Sequence, residues 1–143
     1  IINLPSEKKT EELANQFISK IKPGDIIFLY GELGVGKTTF VRFLINKFQK
    51  NSGLEITEVT SPTFNLLNEY QINKIKINHF DLFRLKSPNE IKDLNLFDNI
   101  SNTITLIEWP QIIQEKPKNL IELIFEYGEE HQTRYVQIKN LKF

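Results

Sequence analysis

Gly31-Glu32-Leu33-Gly34-Val35-Gly36-Lys37-Thr38 sets two glycines five positions apart and follows the second with a lysine and a hydroxyl residue, the spacing of a loop that wraps phosphate. Glycines let the backbone turn so that successive N–H groups face one anion, and a helix opening directly afterwards turns its positive end on the same anion. Gly34, Val35, Gly36, Lys37, Thr38 and Thr39 are therefore the expected nucleotide contacts. Lys37 would reach the β- and γ-phosphates, and the Thr38 hydroxyl would take one position on Mg²⁺. With this chain's own residue counts, a chance match to the pattern is on the order of a few in a thousand. A phosphate-loop enzyme also needs a carboxylate at the end of a neighbouring strand, to hold the magnesium shell or orient the attacking water. Asp81 and Glu108 both end strand-like runs. The run before Glu108 is the more uniformly apolar and β-prone, so Glu108 is the first choice as metal ligand, facing Thr38.

The remaining chemistry is narrowed by what the chain lacks. A guanine-specific protein would carry Asn-Lys-x-Asp, and neither Asn46-Lys47 nor Asn73-Lys74 is completed by an aspartate, which favours ATP and ADP. The 18 basic residues include only three arginines, Arg42, Arg84 and Arg134. Phosphoryl transfer between two anionic substrates calls for several forked guanidinium clamps, so hydrolysis is favoured over a kinase reaction. Cysteine is absent, which excludes disulfides and thiol chemistry and fits a reducing compartment. Eighteen acidic and 18 basic side chains cancel, so no global positive field recruits a nucleic acid, and work on RNA would take place beside a partner. The longest apolar runs cover about five residues where a membrane-crossing helix needs roughly 20. No membrane association and a cytoplasmic location are expected.

Positioning these residues requires alternating elements. Leu13, Ala14, Phe17, Ile18 and Ile21 form one helical stripe across residues 10–21, the pattern of a surface helix with one buried face. Residues 26–30 are continuously apolar, as in a central parallel strand buried on both faces. The glycine loop follows, and then Phe40, Val41, Leu44, Ile45 and Phe48 repeat the helical stripe. Residues 64–71 and 74–80 read as a hairpin around Ile72-Asn73, with the second strand half exposed. A short helix at 88–94, a strand at 103–107 ending on Glu108, a helical turn after Pro110, and strands at 120–127 and 134–139 complete the chain. Forty per cent apolar and 25% charged residues over 143 positions, with no repeat or linker, fit a single α/β phosphate-loop NTPase domain spanning residues 1–143, its mixed, partly parallel sheet flanked by helices.

The loop, Ser61-Pro62-Thr63-Phe64, His79-Phe80-Asp81-Leu82-Phe83-Arg84-Leu85 and Ile107-Glu108-Trp109-Pro110, in this order, resemble the bacterial TsaE (YjeE) family. The resemblance implies a small ATPase that acts with the TsaD and TsaB proteins in making threonylcarbamoyladenosine in tRNA, reaching the tRNA indirectly through that complex. It further implies that Thr63 belongs to a switch near the γ-phosphate, that the segment from His79 through Asp81 to Arg84 and the pair Glu108-Trp109 line the nucleotide site, and that Thr10 lies near the base. Lys37, Asp81 and Glu108 would be the catalytic set. Phe83 stands where the family usually has tyrosine, so ring packing is kept and the phenol hydroxyl is lost. By residue type alone, Thr63 is also a turn former behind Pro62, Thr10 a helix cap, and Trp109 a core side chain.

Overall fold

A computed structural model describes residues 1–62, 64–130 and 132–142. Helix α1, Glu7–Ile18, begins at Ser6, whose side chain accepts from the Lys9 N–H at 3.4 Å, and Glu7 places a negative charge in its first turn. The expected helix at 10–21 is therefore real but three residues early. Its stripe still extends to Ile21, because the chain folds back there with the Ile21 N–H on the Phe17 carbonyl. The second helix, α2 at Lys37–Asn51, buries Phe40, Val41, Leu44 and Ile45. Phe17 of α1 meets Phe40 of α2 edge-on, with ring centroids 5.1 Å apart.

The strands are β1 Ile2–Asn3, β2 Ile26–Tyr30, β3 Leu67–Ile72, β4 Ile75–Asp81, β5 Thr103–Glu108, β6 Leu120–Tyr127 and β7 Arg134–Lys139. They form one sheet in the order β1-β7-β6-β2-β5-β4-β3. Pairings β6·β2, β2·β5 and β5·β4 are parallel, and the antiparallel pairs lie at the two edges. The mixed sheet expected from the sequence is thus observed. Strand β2 explains its own apolar run: Ile27 and Leu29 enter the core under α1 and α2, while Ile26 and Phe28 enter a second core on the opposite face. That opposite face is covered by Leu96, Ile113 and partly buried side chains from helix α3, Pro88–Lys92, and the 3₁₀ turn Pro110–Ile112.

Several details differ from the sequence reading. The hairpin turn is Asn73-Lys74, since Ile72 pairs with Ile75; Asn73 has φ 54°, a conformation asparagine tolerates better than most residues, and Ile72 is buried. Strand β3 starts at Leu67 because Leu66, at φ 63°, breaks the extended backbone before it. The second face of β4 is only partly open, because Phe80 packs into the opposite core, and the strand runs through Asp81 instead of stopping before it. The two-residue strand β1 was not foreseen; two residues carry no readable period.

Candidate functional site

Side-chain alternation and register assemble the site. In β4, Ile75 and Ile77 face α2, and His79 and Asp81 follow at the same parity; in β5, Ile104 and Leu106 do so, with Glu108 next in step. The parallel pairing sets Asp81 beside Glu108 and His79 beside Leu106. Three titratable side chains thus reach the C-terminal ends of adjacent parallel strands on one face. That end of an open α/β sheet is where ligands bind.

Above them stands the start of α2. Gly31, Gly34 and Gly36 have φ of 146°, 76° and 116°, and a Cβ on Gly31 would come within 2.7 Å of Val35 Cγ1 and 2.8 Å of the Phe125 carbonyl. Glycine is required there by both backbone and space. Gly36 caps α2 without a side-chain hydrogen bond, so the N–H groups of the helix's first turn have no capping side chain. Their end of the helix opens into a cavity of about 390 Å³ lined by Leu33, Gly34, Gly36, Lys37, Thr38, Thr39, Ser61, Asp81, Phe83, Glu108 and Trp109.

Within that cavity the Thr38 hydroxyl lies 3.0 Å from both Glu108 oxygens, and Glu108 is 2% exposed. On its other side Glu108 Oε2 is 2.6 Å from His79 Nε2, and His79 is fully buried. Asp81 is held separately: Oδ1 accepts from the Phe83 N–H at 3.0 Å and Oδ2 from the Ser61 hydroxyl. Lys37, 4% exposed, donates to the Gly31 carbonyl and places its ammonium 3.6 Å from the centre of the Trp109 ring. Burial pulls the Lys37 ammonium below the ordinary lysine range, although the Glu108 and Asp81 carboxylates pull the other way. Trp109 holds its ring there from a left-handed backbone, φ 58° and ψ 55°, and packs on Phe83 with centroids 4.7 Å apart.

Most of the sequence-derived site residues therefore converge. Gly34, Gly36, Lys37, Thr38, Thr39, Asp81, Glu108 and Trp109 line one cavity, and Val35 is buried under the loop. Thr10 sits within α1, mostly buried, with its hydroxyl donating to the Ser6 carbonyl at 3.5 Å; it is neither the helix cap nor part of the cavity lining. Thr63 lies outside the described residues. Two contacts were not legible in the sequence. The resemblance placed His79 in a segment at the nucleotide site, but its approach to Glu108 depends on strand order. Arg134, at the start of β7, brings Nη1 within 3.8 Å of where a Cβ on Gly36 would stand, a proximity created by the β6–β7 pairing. Its Nε is buried with no hydrogen-bond partner among the described residues.

Magnesium fits the donor set. Thr38 and Glu108 offer hard oxygens to the cavity at the start of α2, and among the described residues no group of three or more His, Cys, Asp or Glu side chains is placed to cage a metal. Magnesium commonly takes one or two protein ligands and completes its shell with phosphate and water. Among the described residues no helix is long and apolar enough to cross a membrane.

Comparison with known proteins agrees with this architecture. The family described as "Threonylcarbamoyl adenosine biosynthesis protein TsaE" matches residues 4–136. The tRNA threonylcarbamoyladenosine biosynthesis protein TsaE of Rickettsia bellii is 46% identical over 121 residues, covering 84% of this chain and 81% of the relative. The protein of the same description from Bacillus subtilis is 30% identical over 138 residues, 93% of this chain and 82% of its own. Among solved structures, Bacillus subtilis YdiB superposes with a TM-score of 0.68 at 23% identity, covering 94% of this chain and 80% of that one, and shares its fold. With the family matched over residues 4–136 and relatives 30% and 46% identical over most of its length, the chain belongs to the TsaE family of threonylcarbamoyl adenosine biosynthesis proteins.

Proposed function

We propose that this protein binds ATP with Mg²⁺ and hydrolyses it, slowly alone, in support of the TsaD and TsaB proteins that place threonylcarbamoyladenosine in tRNA. The observation that carries the reading is the Thr38 hydroxyl 3.0 Å from both oxygens of buried Glu108, at the uncapped start of the helix that the glycine loop opens. The TsaE relatives, described by their part in tRNA threonylcarbamoyladenosine biosynthesis, support the biological setting.

Each side chain then has a physical task. The N–H groups from Gly34 to Thr39 and the end of the α2 dipole bind the phosphates. Lys37 leaves the Gly31 carbonyl and the Trp109 ring to neutralise the β- and γ-phosphates. Thr38 and Glu108 hold Mg²⁺, which when bound supplies positive charge against the developing negative charge on the phosphate oxygens. Asp81, fixed at both oxygens by Phe83 and Ser61, retains lone pairs that accept a proton from a water and orient it. Arg134, beside Gly36, is the guanidinium within reach of the loop. The missing Asn-Lys-x-Asp signature supports adenine over guanine.

Steady-state phosphate release, measured with and without TsaB and TsaD, tests the reading. Turnover that rises when the partners are added supports it. Partner binding that depends on ATP but produces no phosphate would replace it with a nucleotide-gated docking module, and transfer of the γ-phosphate to a metabolite would make the protein a kinase.

A further inference from the structure

Glu108 has two neighbours within hydrogen-bond distance, and they differ in what metal binding does to them. The Thr38 hydroxyl, 3.0 Å from both carboxylate oxygens, belongs to the same donor set as the carboxylate. Its oxygen can offer a lone pair to a cation while its O–H still donates to the carboxylate, so it holds Glu108 from the metal's side only. His79 stands behind, fully buried, with Nε2 2.6 Å from Oε2. Its Nδ1 has no partner among the described residues and is shielded from solvent. With no acceptor on the Nδ1 side, the arrangement of lowest cost puts an N–H on Nε2, donating to the carboxylate.

We infer that His79 is a positioning residue: through its Nε2–H it pins Oε2 of Glu108, leaving the other face of the carboxylate turned toward Thr38 and the metal. This rests on the metal-binding role proposed for Glu108 and adds a residue to it. Strand geometry makes the contact rigid, since His79 and Glu108 lie on adjacent parallel strands, two residues out of register, with their side chains on the same face. Flexibility in a glutamate side chain costs a metal site affinity, and hydrogen bonds behind the ligand remove that freedom; loss of such a partner typically costs about 10- to 100-fold in metal affinity.

The test measures Mn²⁺ binding in the presence of ADP by electron paramagnetic resonance, alongside ADP binding in EDTA, for the parent and for His79→Phe, His79→Gln and Glu108→Gln. His79→Phe keeps the ring and loses the donor; His79→Gln carries an amide N–H close to the position of Nε2. The expected result is Mn²⁺ affinity reduced about 10- to 100-fold in His79→Phe, largely restored in His79→Gln, with metal-free ADP affinity unchanged in both. Should His79→Phe fail to fold, His79→Asn, whose amide falls short of Oε2, takes its place with the same expectation. Parental Mn²⁺ affinity in His79→Phe while Glu108→Gln is weakened overturns the role of His79 and leaves Glu108 standing. Parental affinity in Glu108→Gln overturns the metal role of Glu108 and this inference with it. Equal losses in His79→Phe and His79→Gln, extending to ADP in EDTA, reduce His79 to a packing residue.

Discussion

Replacing Lys37 with methionine should separate binding from folding, because the lysine's two roles draw on different terms. In the free protein its ammonium is buried, donates to the Gly31 carbonyl and lies 3.6 Å from the Trp109 ring centre. The carbonyl left behind costs about 1–3 kcal/mol, and the lost cation–π contact about 0.5–2 kcal/mol. Against this, an ammonium whose pKa burial has already lowered no longer has to be desolvated, a relief of several kcal/mol in a typical interior. The terms nearly cancel, and the methionine chain occupies most of the same volume. The melting temperature should move by no more than about 5 °C, the equivalent of ~1–2 kcal/mol. Nucleotide binding has no such compensation. A charged hydrogen bond to phosphate contributes about 1.5–3 kcal/mol, so the dissociation constant for ADP with Mg²⁺ should rise about 10- to 150-fold. Trp109 is the only tryptophan in the sequence, which makes its emission a direct assay. In the parent, nucleotide draws the ammonium off the indole and the emission changes saturably. In Lys37→Met, emission starts from an altered value and responds only at the higher concentrations that its weaker binding requires. Calorimetric titration provides the affinity independently. Parental affinity in Lys37→Met would refute the phosphate role, and calorimetric binding to the parent with constant indole emission would refute the motion of the lysine away from Trp109.

Two further outcomes follow from the same geometry. Glu108→Gln should raise the Mg²⁺ concentration needed for tight nucleotide binding more than Asp81→Asn does, because Glu108 touches Thr38 while both Asp81 oxygens are engaged by Ser61 and Phe83; the reverse order in side-by-side titrations would exchange their roles. Gly31→Ala should destabilise the fold by about 2–4 kcal/mol, combining backbone strain at φ 146° with overpacking against Val35 and the Phe125 carbonyl, and a denaturant midpoint equal to the parent's would show that the loop can shift to accept the methyl.

Local chemistry was legible in the sequence wherever short-range spacing dictated it. The glycine loop could be located because its glycines, Lys37 and Thr38 are nearly consecutive in the chain, and the buried strand before it because every side chain from Ile26 to Leu29 is covered on one face or the other. Helix α1 was located by its stripe, but its start depended on Ser6, a capping residue four positions before the chosen boundary. Glu108 could be favoured over Asp81 from the apolar strand before it, since a strand so uniformly apolar belongs at the centre of the sheet, and the observed order sets β5 directly beside β2. What tertiary structure alone decided was company. His79, 29 positions before Glu108, reaches it only because β4 and β5 run parallel in one particular register. Arg134 comes to Gly36 only because β7 folds back antiparallel on β6, beside the strand that feeds the loop. Hydrophobic periodicity reports which face a residue occupies and is blind to which strand lies next to it, because strand order is settled by the packing of the whole sheet between its two cores.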